Sequence, residues 1–287
     1  MLAAAGQSAR NAMQRELTAA LGTVGATHVR FLFGFPFALI FLAVVLAATG
    51  SPLPDLPAAF WPWVLLGAGA QILSTALMLA AMNDRSFVVT IVYTKTEVIQ
   101  AAVFGLLFLG DPLTLPILVA ILVATAGVVL MSLKGAAPVQ GGLRPTLLGL
   151  CSGAMLALSV TGYRGAILAL AHPDFVLAAT FSLAVGLVLQ SALLTLYLAL
   201  WDPAVLGAIA RAWRPSLFAG FMGALASEFW FLAFALTSAA NVRTLGLVEV
   251  LFAQAISFFV FKQRTTRREA CGMAMIVVGV VLLIWAQ

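Results

Sequence analysis

Apolar residues run in long blocks along this chain, and short clusters of proline, glycine and charge separate one block from the next. Reading each block as a helix predicts ten of them, at about 3–17, 26–49, 59–82, 86–109, 113–133, 146–168, 174–200, 213–237, 240–261 and 268–286. The clearest breaks are Ser51-Pro52-Leu53-Pro54-Asp55, Gly110-Asp111-Pro112 and the stretch from Gly135 to Pro145. Trp61, Trp63, Trp201, Trp213 and Trp285 fall at predicted helix ends, where tryptophan marks the membrane interface. Trp230 alone sits well inside a predicted span.

A helix needs about 20 apolar residues to cross the hydrocarbon. The pattern therefore predicts an all-α integral membrane protein with ten transmembrane helices and short loops. Composition agrees: 63% of the 287 residues are hydrophobic and 9% charged, and mean hydropathy is +1.11. A soluble domain is excluded, because it would carry about a quarter charged residues. Disorder is excluded too, since too many side chains need burial. Cys151 and Cys271 lie in apolar stretches without a CxxC spacing and are expected to be small core residues. No cleaved signal peptide is apparent.

The net charge is +5, and its distribution matters more than its size. Odd-numbered loops carry Arg15, Arg85, Lys134, Arg144, Arg211, Arg214, Lys262, Arg264, Arg267 and Arg268, and even-numbered loops carry no base. By the positive-inside rule the odd loops are cytoplasmic and both termini extracytoplasmic. The bases thus mark a membrane face, and nucleic acid is not an expected partner. Arg10, Arg30, Lys95, Arg164 and Arg243 lie within predicted spans.

The chain also repeats. At an offset of 152 residues, Glu97 falls on Glu249, Val98 on Val250, Ala101 on Ala253 and Thr114 on Thr266, and Gly127-Val128-Val129-Leu130 falls on Gly279-Val280-Val281-Leu282. This divides the chain into residues 1–135 and 136–287, with five predicted helices each. Five is odd, so the second repeat enters the membrane inverted. Inverted repeats build many secondary transporters, with the substrate site near the midplane between the halves.

The segments TEVIQAAVFGLLFLGDPLTLPILVAILVATAGVVL and VEVLFAQAISFFVFKQRTTRREACGMAMIVVGVVL resemble the drug/metabolite transporter superfamily, EamA type. Each half in that family ends in a Glu-Pro helix, a Gly-Glu turn and a Gly-Val-rich last helix. Here Val98 and Val250 replace the proline, Asp111 replaces the turn glutamate, and Lys262-Gln263 lacks it. The resemblance implies export of amino acids, aromatic ones included, or of other small metabolites across a bacterial inner membrane. Many relatives keep their termini in the cytoplasm, whereas the loop charges of this chain predict extracytoplasmic termini. Aligning Arg10 with Arg164 leaves the first helix short, so either about ten apolar residues are missing from the start or it is a half-span.

Charged side chains at membrane depth cost about 2.5–3.5 kcal/mol each on insertion scales and are functional candidates. Glu97 and Glu249 lie near the centres of their spans. Thr90, Tyr93, Glu97 and Gln100 share one face of a continuous helix. The glutamates either fix helix packing or meet substrate or protons, and Glu97→Gln is expected to abolish or uncouple transport while leaving folded protein. Arg10 with Asn11, and Arg164 with Tyr163, offer guanidinium forks for an internal glutamate or a substrate carboxylate. Arg243 reads as interfacial. Glu228 and Trp230 could wall a cavity for an aromatic solute, or Trp230 could simply pack. Gln71 and Ser74 form a further polar patch that interhelical bonding explains equally well. Pro36 should kink its helix.

No GxxxxGK[ST] loop, HExxH pair or Cys/His cluster is present, so neither ATP, a metal nor another cofactor is expected. The reading is a secondary transporter of small organic solutes, working by alternating access as a monomer or weak homodimer. Protons are candidate coupling ions through Glu97, Glu228 or Glu249. The alternatives are a non-transporting sensor or assembly subunit and a membrane-embedded lipid-modifying enzyme.

Overall fold

The computed structural model describes residues 21–84, 93–132, 143–248, 250–251 and 266–286. Every element among them is helical: α1 (Leu21–Thr49), α2 (Phe60–Asp84), α3 (Glu97–Leu109), α4 (Leu115–Ser132), α5 (Leu143–Ala169), α6 (Phe175–Trp201), α7 (Pro203–Arg211), α8 (Trp213–Leu236), α9 (Ala239–Gly246) and α10 (Arg267–Trp285). Six of these helices are long and apolar enough to cross a membrane, and Glu97–Leu109 and Leu115–Met131 are shorter apolar helices. The predicted helix at 3–17, with Arg10 and Asn11, lies outside the described residues, as do Thr90 and Glu249.

Local chemistry sets the helix ends. Asp174 accepts hydrogen bonds from the amides of Val176 (2.9 Å) and Leu177 (3.3 Å), and Thr266 and Glu269 form a reciprocal capping box. Gly50 and Gly110 follow α1 and α3 at φ values of 64° and 67°, a left-handed conformation that costs other residues strain. The helix α7 was not predicted from the apolar runs. Proline opens it, and Ile209 buries against Leu21, Val29 and Leu198.

Large apolar side chains such as Leu107, Leu115, Leu200 and Ile284 are exposed, as lipid-facing residues should be. Trp201 and Trp285 are exposed at helix ends, whereas Trp63 packs under Gly165 of α5. Cys151 and Cys271 are also exposed, which corrects their reading as core residues. Each sits on a helix face turned outward, where a small apolar side chain suits lipid as well as it suits a core.

Small residues bring helices together in the interior. Gly162 of α5 meets the backbone of Gly67 and Trp63 on α2, and Ser74 and Ser152 each donate to the other's carbonyl at 2.9 Å. Gly149 and Gly153 of α5 receive Tyr93 and Thr96. Where α4 crosses α10, Gly127 sits against Gly272 and Ile276, and Gly279 sits against Ala120 and Ala124. The 152-residue offset maps the first contact set onto the second. Such exchange of partners is the signature of a two-fold contact.

Two helix breaks also fall at equivalent positions. The predicted helix 86–109 is interrupted by a turn at Lys95–Thr96, where Val98 and Ile99 bond back only three residues, to Lys95 and Thr96. After α9 the turn at Leu247–Val248 does the same, with Val250 bonding to Leu247 and Leu251 to Val248. Each break immediately precedes a repeat glutamate. In α1 the interruption is at Phe33–Gly34, ahead of Pro36, which has no amide proton to offer the Leu32 carbonyl.

Candidate functional site

The break at Lys95–Thr96 parts residues that a continuous helix would align. Tyr93 turns to α5, where its hydroxyl accepts from Thr146 at 3.3 Å. Glu97, 2% exposed, turns instead to α9. There Arg243 donates to Glu97 Oε1 through Nε at 2.9 Å and through Nη2 as well. Arg243 is therefore buried, at 6% exposure, and not interfacial. The reason is mutual: a lone guanidinium or carboxylate would be very costly here, and each offsets the other's lost hydration.

Trp230 of α8 completes this group. The Arg243 guanidinium lies 4.7 Å from its ring centroid, a cation–π geometry. Gly246 makes room for the indole, since an added Cβ would come within 2.5 Å of it. Phe234 stacks on the Trp230 ring with centroids 6.3 Å apart. The rings continue from Phe234 to Phe231 (6.2 Å) and on to Tyr163 (4.6 Å). An aromatic series thus leads from the ion pair to a second polar cluster.

In that cluster Gln71 Oε1 accepts from Gln190 Nε2 at 2.8 Å and from the Tyr163 hydroxyl at 3.4 Å, while Gln190 also donates to the Ala68 carbonyl. Gly67 and Gly186 flank the Tyr163 ring. Sequence reasoning missed Gln190; the signal was a lone amide in an apolar run. Ser74, by contrast, is committed to the α2–α5 contact.

Arg164 meets an aspartate, not a glutamate. Its Nη2 lies 3.2 Å from Asp111 Oδ1, and its Nη1 donates to the carbonyls of Phe234 (2.7 Å) and Thr237. It thus caps the C-terminal end of α8, where a cation is electrostatically favoured. Glu228 Oε1 lies 2.5 Å from Thr180 Oγ1, which is also 2.8 Å from the Val176 carbonyl.

Several buried polar atoms have no hydrogen-bond partner among the described residues: Glu97 Oε2, Gln100 Oε1, Gln190 Oε1, Glu228 Oε2 and Trp230 Nε1. Folded proteins leave few such atoms, so a concentration of them calls for a functional explanation. No group of three or more His, Cys, Asp or Glu residues that could hold a metal ion occurs among the described residues.

A solved crystal structure, described only as that of a protein, aligns with 99% of this chain and 99% of its own at 16% identity and a TM-score of 0.68. At that identity the likeness is one of fold. No curated protein matches. Residues 1–133 match the family model described as the EamA-like transporter family.

Proposed function

We propose that the chain is a secondary transporter that exports small organic solutes, amino acids and aromatic ones among them, by alternating access between two inverted five-helix halves. The observation that carries this reading is the pair of helix breaks at Lys95–Thr96 and Leu247–Val248, one repeat apart and each beside a membrane-depth glutamate. Interrupted helices in corresponding positions of two halves are the best sequence-level pointer to a transport site. The exchanged contacts of Gly127 and Gly279 support the same two-fold relation.

In this reading Glu97 and Arg243 join the halves across the site, and the rings from Trp230 to Tyr163 supply an apolar wall. Glu228 is the proton-carrier candidate with the most specific geometry. Thr180 has one hydroxyl proton for two acceptors, so a protonated Glu228 would complete the pair when Thr180 bonds Val176. Purified protein in proteoliposomes is expected to carry labelled phenylalanine with saturable kinetics. Absence of flux for phenylalanine and for the other amino acids would overturn the substrate reading.

The proposed location is a bacterial inner membrane, as the family resemblance implies, with Arg267 on the cytoplasmic side, as the positive-inside rule implies. After Cys151 and Cys271 are replaced by serine, Arg267→Cys is expected to resist a membrane-impermeant maleimide in intact cells and to react after lysis. Labelling of intact cells would reverse the orientation.

A further inference from the structure

Among the membrane-depth bases with described contacts, Arg164 and Arg243 each meet a carboxylate. Arg30 does not. It lies nine residues into α1, about 13 Å along the helix axis, and is 9% exposed. Of its five N–H donors, one bonds Thr75 Oγ1 at 3.3 Å. Its guanidinium otherwise rests over the neighbouring Phe31 ring at 5.1 Å. Among the described residues no acidic side chain pairs with it.

Its surroundings do not supply the missing charge. Thr75, the partner of Arg30, donates to the Gln71 carbonyl, and Gln71 in turn bonds the Tyr163 hydroxyl, while Arg243 is already bound to Glu97. The groups linked to Arg30 are thus a hydroxyl, an amide and a phenol, with no carboxylate among them. An unpaired guanidinium at membrane depth is expensive, and such residues persist where they serve a ligand or a pathway. Arg30 also stands one turn before the Phe33–Gly34 interruption of α1, as transport sites often stand beside broken helices.

We infer that Arg30 is the anchor for an anionic group of the transported solute, and that the group is a carboxylate on a molecule with an apolar, aromatic body. The inference rests on the transport reading above and narrows its substrate class. A planar carboxylate matches the free edge of a guanidinium fork by two parallel charge-assisted bonds. The Tyr163–Phe231–Phe234 series offers the adjoining apolar surface. An internal role is served less well, because no carboxylate among the described residues reaches Arg30.

The test compares equilibrium binding of L-phenylalanine and phenylacetate with that of their amides, by calorimetry on purified full-length protein, beside flux of the same probes in proteoliposomes. Wild-type protein is expected to prefer each acid over its amide. Arg30→Gln, which removes a buried charge and keeps a donor for Thr75, is expected to fold and to reduce that preference by about 10- to 100-fold. Arg30→Lys should restore part of it. Equal binding of acids and amides by the wild type, no binding of either acid, or an unchanged preference in Arg30→Gln would overturn the anchor. Acid-selective binding that depends on Arg30 but is accompanied by no flux would uphold the anchor and remove the transport reading instead.

Discussion

Glu97→Gln is expected to destabilise the protein by about 3–5 kcal/mol, because it strands the Arg243 guanidinium without its counter-charge. The sequence alone led to a different expectation, a folded but uncoupled transporter. The structure changes the balance by showing what the carboxylate holds. Replacing both partners should cost far less than replacing one. In Glu97→Gln/Arg243→Gln, two amides take the place of two ions, and no charge is left unpaired. A double-mutant cycle on thermal stability in detergent checks this. Additive losses from the two single variants would mean that the pair contributes nothing as a pair. If the double variant regains stability but carries no solute, the pair serves transport in addition to folding.

Trp230→Ala is expected to cost a similar amount, about 3–5 kcal/mol, from lost burial and the cavity left between Phe234, Gly246 and Arg243. Trp230→Phe separates two contributions. It keeps an apolar ring in the stack but offers the guanidinium a weaker face, so its loss should be nearer 1–2 kcal/mol. Unfolding midpoints of the two variants, measured side by side, decide the matter. An alanine variant as stable as the wild type would show that the indole packs on nothing that matters. In that event the cluster around Arg243 would have to be redrawn.

Much of the fold was legible because lipid is a demanding solvent. A backbone that cannot bond to water must satisfy itself, so apolar runs between α1 and α10 had to be helices. Six of the predicted spans coincide with described helices long and apolar enough to cross a membrane. The helix α7 was not legible, because its nine residues are too few and too mixed to stand out as a span. The breaks at Lys95–Thr96 and Leu247–Val248 gave no signal either, since valine occupies the position where a proline would have announced them. For the candidate site, Glu97, Trp230, Tyr163, Arg164 and Gln71 stood out as polar or aromatic residues in apolar surroundings. Their partners did not. Arg243 is 146 residues from Glu97, and only packing of α9 on α3 reveals that they meet. Arg30 was visible as a charge but not as an unpaired one, because pairing belongs to the tertiary structure.

The exchanged contacts of Gly127 and Gly279 carry a thermodynamic corollary. If the halves are related by a two-fold operation and work by the proposed alternating access, that operation also turns an inward-facing arrangement into an outward-facing one. A chain with strictly identical halves would then give both arrangements equal free energy. Whatever preference exists must come from positions where the copies differ. Asp111 against Gln263 is one such position. The resting state of the molecule is thus written in its departures from self-similarity.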